Sequence, residues 1–261
     1  MLNISLIQSN IIWEDTKANL SLFTKKTNDL KKKSHIILLP EMFNTGFSLN
    51  LACLAETMDG ETVNWMKEMA AKHIVILSGR ILVKEGGKIY NRLVWAMPNG
   101  VTYHYDKRHT FSYADEDKVI TAGNKRLIVS VNGWKLNLQI CYDLRFPVWA
   151  RQSYGIEPEY DVLIYVASWP EKRNNIWKAL LVARAIENQC YVVGVNRVGT
   201  DGNGLYYKGD SMVISPIGEV LYHQEDIEDI FTITLEKAVL NKYRIKFPFL
   251  LDGDNFVLRQ L

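Results

Sequence analysis

The chain has 261 residues, 48% apolar and 23% charged, an ordinary globular balance that excludes an intrinsically disordered chain. Its formal net charge of +2 gives no electrostatic reason to expect nucleic acid or a membrane surface as partner. The three cysteines, Cys53, Cys141 and Cys190, form no CxxC pair, which argues against a zinc ligand set or a redox dithiol, and the low odd count suits a reducing compartment.

In chain order, Met1–Gln8 has no basic leader and alternates like a strand, so 2–8 is read as a strand and not as a signal peptide. No apolar run reaches the ~18–20 residues of a membrane span, and the expectation is a soluble cytoplasmic protein with one domain over 1–261. Leu20, Phe23, Thr27 and Leu30 share one face of a helix predicted over 16–32, with Lys31, Lys32 and Lys33 as its solvated end. Ile36–Leu39 is a short buried strand halted by Pro40 and ending on Glu41. A helix is predicted over 60–72 and a strand over 73–83.

Two hairpins follow, Leu93–Met97 with Val101–Tyr105 around Asn99-Gly100, and Leu127–Val131 with Lys135–Ile140 around Asn132-Gly133. Asn-Gly is the favoured pair of a type I′ turn. A helix over 147–154 then precedes a strand at Asp161–Ser168. Next come a helix over 174–189 with Ile176, Leu180, Ala183 and Ile186 in phase, and a strand at Tyr191–Asn196. Ser211–Ser215 and Glu219–His223 flank a turn, and a strand at Asp229–Leu235 leads to a short helix ending near Arg244. Strands interleaved with helices predict an α/β protein with two facing sheets and helices outside.

Three reactive side chains stand immediately after strands: Glu41, Lys107 and Cys141. Strand ends are where rigid elements give way to loops, so residues distant in sequence can converge there. Cys141 ends the run Leu136, Leu138, Ile140, and a sharp turn there would present a thiol together with backbone N–H groups able to hold an oxyanion. Glu41, flanked by Met42 and Phe43, is expected to be poorly solvated, which raises a carboxyl towards the range of a general base. Lys107 beside a thiol would favour thiolate. Taken singly, each has a plain reading: a small buried cysteine, a surface glutamate and a solvated lysine. Cys53 and Cys190 keep that plain reading.

Taken together these residues resemble the Glu-Lys-Cys triad of the nitrilase superfamily. Its motifs stand here as Leu39-Pro40-Glu41, Tyr105-Asp106-Lys107-Arg108-His109 and Cys141-Tyr142-Asp143-Leu144-Arg145-Phe146-Pro147, in order, with Arg184–Asn188 and Gly209-Asp210-Ser211 as further matches. The resemblance implies a four-layer αββα sandwich, a homodimer, no cofactor and no metal. It implies Cys141 as nucleophile, Glu41 as base, Lys107 and the Tyr142 N–H as oxyanion donors, and Glu116 as a second glutamate that orients Lys107 and the attacked group or assists the base. The Cys-Tyr-Asp-x-Arg-Phe-Pro form is similar to the short amidase branch, and together with Glu41–Phe47, Asp106–His109, Ser168-Trp169-Pro170 and Asn196–Gly204 it resembles the omega-amidases, which implies hydrolysis of the terminal amide of short dicarboxylic monoamides through a thioester. Arg145, Arg173 and Arg197 are candidate anchors for the distal carboxylate, with an Arg145–Glu187 ion pair as the structural alternative for Arg145. Phe47, Tyr113 and Trp169 are candidate pocket walls. The rival readings are hydrolysis of N-carbamoyl or deaminated-peptide substrates, a non-catalytic binding protein on this fold, and a redox-sensing thiol.

Overall fold

The computed structural model describes residues 1–152, 158–254 and 256–258. In chain order the elements are β1 (Leu2–Gln8), α1 (Thr16–Asn28), β2 (Ile36–Glu41), α2 (Leu51–Leu54), α3 (Glu61–His73), β3 (Ile76–Glu85), β4 (Lys88–Ala96), β5 (Thr102–Asp106) and α4 (Glu116–Val119). They continue with β6 (Leu127–Val131), β7 (Trp134–Ile140), α5 (Pro147–Ala150), β8 (Val162–Val166), α6 (Asn174–Asn188), β9 (Tyr191–Val195) and β10 (Val198–Thr200). The last are β11 (Tyr206–Ile214), β12 (Val220–Glu225), β13 (Asp229–Leu235) and α7 (Lys237–Lys246). One sheet runs β13-β1-β2-β3-β4-β5; the other runs β10-β11-β9-β8-β7-β6, with β12 on the free edge of β11.

The middle of each sheet is parallel, β1-β2-β3 in one and β7-β8-β9 in the other. Such strands are covered on both faces, which explains their continuous apolar runs. β2 shows how. Ile36 and Leu38 join the core between the sheets, with Leu2, Leu6, Leu136 and Leu138. Ile37 and Leu39 point the other way, into a cluster with Phe23 of α1 and Val63 and Met66 of α3. Trp177 and Leu181 of α6 pack on the far side of the second sheet. Two sheets face to face with helices outside is the four-layer arrangement expected.

Several local expectations are corrected. The Asn132-Gly133 turn is type I′, with φ of 49° and 78°, and closes on the Val131–Trp134 pair. The Asn99-Gly100 turn is not: Gly100 alone has positive φ, and its N–H donates to Met97 C=O at 3.0 Å. Pro98, with its fixed φ, takes the first corner and makes a longer turn. The two-residue turn of this sheet is Gly86-Gly87, closing β3 on β4. α1 stops at Asn28, and Lys31–Lys33 are solvent-exposed in the loop beyond it. On α6 the buried stripe is Trp177, Leu181, Arg184, Ala185 and Asn188, while Ile176 and Ile186 face solvent. The predicted helix over 147–154 is helical over Pro147–Ala150; 153 and 154 lie outside the described residues. No helix among the described residues is long and apolar enough to cross a membrane.

Candidate active site

Glu41 reaches the site through a bulge. β2 pairs with β3 as Leu38–Ser78 and then as Glu41–Arg80, so β2 carries one residue more than its partner. A bulge re-aims the side chains that follow it. Glu41 therefore shares the inter-sheet face with Leu38, although simple alternation would turn it away. It is fully buried. Across the sheets its N–H donates to Ala167 C=O at 3.3 Å, and Ser168 N–H donates to its Oε2 at 3.0 Å.

Lys107 extends β5 by one ladder bond, its N–H donating to Asn91 C=O at 2.9 Å. Its Nζ lies 2.9 Å from Glu116 Oε2 and 3.3 Å from Glu41 Oε1, with all three side chains buried. Burial works to lower the lysine pKa, but Glu116 and Glu41 outweigh it and hold it above its ordinary value. Burial would raise Glu116, and Lys107 with Arg80 outweighs that and holds it below the usual carboxylate range. Glu116 also accepts from Phe111 N–H at 2.6 Å, fixing the turn that carries it.

Cys141 follows β7 with φ of 38°, a left-handed conformation uncommon for a residue with a Cβ and frequent where strain serves a site. Burial, then the neighbouring Glu41 carboxylate, push its thiol well above the ordinary range, and Lys107 only partly offsets them. Lys107 favours the thiolate, as expected, but burial and Glu41 outweigh it.

Asp143 ties the cysteine turn to the lysine segment. Its Oδ2 accepts from Tyr105 Oη at 2.8 Å and from Ile140 N–H at 3.0 Å. Its Oδ1 accepts from His109 N–H at 3.0 Å and lies 2.8 Å from His109 Nδ1. Tyr105 and His109 bracket Lys107, and Ile140 precedes Cys141. From behind, Arg184 of α6 donates to Leu144 C=O at 2.6 Å and pairs with Glu187 at 2.9 Å. The Arg145–Glu187 pair offered as the structural alternative is not formed; Arg184 takes that place.

Cys141 and Lys107 open onto a cavity of about 640 Å³. Phe47, Tyr113, Tyr142 and Trp169 line it, as do Arg145 and Arg173. Arg145 stacks over Trp169 at 5.1 Å and Arg173 over Phe111 at 5.4 Å. Among the described residues neither guanidinium pairs with a carboxylate. Arg197 does not line the cavity: it is buried over Tyr207, donating to Asn10 Oδ1 at 3.1 Å, which removes it as an anchor. Glu41 and Glu116 lie behind Lys107 and do not line the cavity.

Sequence reasoning missed Arg80 and Asn91 as parts of this site, and it gave Ser168 and Asn196, which stand in matching motifs, no role. Asn196 fixes the Trp169 wall, accepting from Trp169 N–H at 2.8 Å and donating to its C=O at 3.0 Å. The available signal for Arg80 was a lone charge within the apolar run Ile76–Val83, since a charge buried in a strand is almost always paired. Among the described residues one group of metal-ligating types, Asp210, His223 and Glu225, comes together at the edge of the second sheet. There the Asp210 oxygen 2.6 Å from His223 also faces Lys178 at 3.4 Å, so a cation is already in place.

Residues 3–245 match the carbon–nitrogen hydrolase family model. The chain belongs to the carbon–nitrogen hydrolase family. This carbon–nitrogen hydrolase is 42% identical over 261 residues to the omega-amidase YafV of Escherichia coli K12, with 98% of each chain covered. It is 34% identical over 221 residues to the 2-oxoglutaramate amidase of Bacillus subtilis, with 84% of each covered. The crystal structure of XC1258 from Xanthomonas campestris, a CN-hydrolase superfamily protein with an arsenic adduct in its active site, superposes with a TM-score of 0.97 at 42% identity and 99% coverage of both chains.

Proposed function

We propose that this carbon–nitrogen hydrolase is a thiol-dependent amidase cleaving the terminal amide of short dicarboxylic monoamides, such as 2-oxoglutaramate and succinamate, to the dicarboxylate and ammonia. The observation that carries the reading is a juxtaposition: a cysteine and a lysine at the floor of a cavity, two buried glutamates behind the lysine, and a wall bearing Arg145 and Arg173, which have no carboxylate partner among the described residues. Guanidinium forks suit a carboxylate, and the names of the relatives from E. coli and B. subtilis point to the same substrate class.

In this reading Glu41 takes the thiol proton as Cys141 attacks the amide carbon. The developing oxyanion is held by the Lys107 ammonium and the Tyr142 N–H, and Glu116 keeps Lys107 charged and aimed. Glu41 returns the proton to the leaving ammonia. Water, deprotonated by Glu41, then hydrolyses the thioester and frees the carboxylate and the thiol. Covalent catalysis splits one difficult step into two easier ones, and preorganised donors supply the charge stabilisation. The raised thiol agrees with proton transfer during attack and not before it. Ile176 and Ile186, apolar residues exposed on α6, support assembly as a homodimer.

The test is ammonia release by purified protein from 2-oxoglutaramate and succinamate, with glutamine, a nitrile and an N-carbamoyl amino acid alongside and Cys141→Ala as control. Fast release from the first two, lost in the variant, is the expected result. Turnover confined to another amide would overturn the substrate class, and silence on every compound would overturn the amidase.

A further inference from the structure

Arg80 of β3 lies behind the cavity, only 1% exposed, and belongs to none of the motifs that point to the site. Its Nε donates to Asn91 Oδ1 and lies 3.9 Å from Glu41 Oε1. Its Nη2 is 3.6 Å from Glu116 Oε1, and its buried Nη1 has no partner among the described residues. Asn91 turns its amide nitrogen onto the same two carboxylates, donating to Glu41 Oε1 at 3.2 Å and to Glu116 Oε1 at 2.5 Å. One arginine–asparagine pair thus spans both glutamates.

The charge balance shows what this pair does. Two carboxylates against Lys107 alone would leave a net negative charge in a sealed space. Carboxylates that share such a site are driven to hold a proton between them. A glutamate holding that proton cannot take another from Cys141. With Arg80 present the charges cancel: Glu41 and Glu116 against Lys107 and Arg80.

We propose that Arg80, gripping Asn91, is a positioning residue for the base: it supplies the second cation that lets Glu41 and Glu116 both stay ionised beside Lys107, and so sets the acid limb of the activity profile. The inference rests on Glu41 acting as the base in the reading above. The groups facing Glu41 are Arg80 from β3, Lys107 after β5, Glu116 from α4 and Cys141 after β7, with the Tyr207 phenol of β11 at longer range. Burial disfavours the arginine's charge while Glu41 and Glu116 favour it, as expected of a cation held for its counter-charges. Removing it leaves one uncompensated negative charge, so proton uptake moves to higher pH.

The test compares wild type, Arg80→Gln and Arg80→Lys with two readouts across pH. One is kcat/KM for ammonia release from 2-oxoglutaramate. The other is the rate of Cys141 alkylation by iodoacetamide, followed by intact mass, which needs no substrate. Arg80→Gln is expected to move the acid limb of both upward by about one pH unit or more. Arg80→Lys, which keeps the charge but loses the fork onto Asn91, is expected to leave the limb in place and lower kcat. An unmoved limb in Arg80→Gln, or equal shifts in both variants, overturns the proposal. If Arg80→Gln fails to fold, the paired variant Arg80→Gln with Glu116→Gln restores neutrality; it should fold with the wild-type alkylation limb, and a displaced limb there overturns the proposal. If wild type turns over no amide, the alkylation limb alone decides: a shift in Arg80→Gln upholds the role of Arg80 while the amidase reading falls.

Discussion

Ser168 holds Glu41 at two points: its N–H donates to the carboxylate at 3.0 Å, and its hydroxyl donates to the Glu41 backbone C=O at 2.9 Å. Glu41 ends β2 in one sheet and Ser168 follows β8 in the other, so this double contact fixes the base against the sheet that carries the nucleophile. Ser168→Ala keeps the first bond and loses the second. The expected outcome is a stability loss of about 1 kcal/mol with less than about a tenfold fall in kcat, because the carboxylate keeps its aim. Thermal unfolding and ammonia release measure the two effects.

Lys107→Met is expected to damage the fold as well as the chemistry. It strips the closest cation from Glu41 and Glu116, both fully buried. Breaking a buried ion pair from one side costs about 3–5 kcal/mol. Denaturant unfolding should show that loss, and a soluble variant of wild-type stability would contradict the geometry.

Asp143→Asn should separate positioning from binding. The amide cannot accept on both sides, so either the His109 side or the Tyr105–Ile140 side loses its acceptor. An unsatisfied buried donor costs about 1–3 kcal/mol, and the register between Lys107 and Cys141 loosens. The expected signature is a kcat lowered by roughly 10²-fold with KM little changed, since misplacement of reacting groups acts on the chemical step.

Arg145→Ala and Arg173→Ala should act on binding. Each removes a guanidinium that faces the cavity and has no carboxylate partner among the described residues. For a dicarboxylic monoamide, KM should rise roughly 10–100-fold, the worth of a charged hydrogen bond. For a neutral amide of the same length it should stay near the wild-type value. Equal effects on both substrates would assign these arginines to the wall and not to the carboxylate.

How much of this was legible in the sequence depends on what each residue does locally. Glu41, Lys107 and Cys141 each stand at or just past the end of a strand legible in the sequence, so position and chemistry coincide. Arg80 and Asn91 lie inside strands, where a sequence shows only an odd polar residue and not the neighbour that neutralises it. The α6 face was misread for a related reason. Arg184 and Asn188 are polar yet buried because they hold the Cys141 turn and Gln152, so apolar spacing chose the more exposed stripe. The bulge after Leu38 is invisible to alternation counting, yet it brings Glu41 to the correct face.

Alkaline pH should destabilise the protein through its buried thiols. Burial is the main cause pushing Cys190 up to about 12. A raised pKa gives stability that is fully present below the unfolded thiol's ordinary value, ~8.5, and is lost as pH rises from there through the folded value. Each such thiol contributes a slope of about 1.4 kcal/mol per pH unit in that window. Cys190→Ala should flatten the decline in unfolding free energy above pH ~8.5, measured by denaturant titration at several pH values.

The first sheet begins with β1 but is closed by β13, which pairs with β1 along its whole length from Leu2–Leu235 to Gln8–Asp229. A growing chain therefore carries every proposed catalytic side chain long before the strand that completes the sheet behind Glu41 has been made. Base and nucleophile meet only when two finished sheets dock, so a half-made or partly unfolded chain should hold its cysteine beside no carboxylate. Hydrolytic competence would then appear late and all at once during synthesis or refolding, and its first appearance would serve as a clock for the docking of the two sheets.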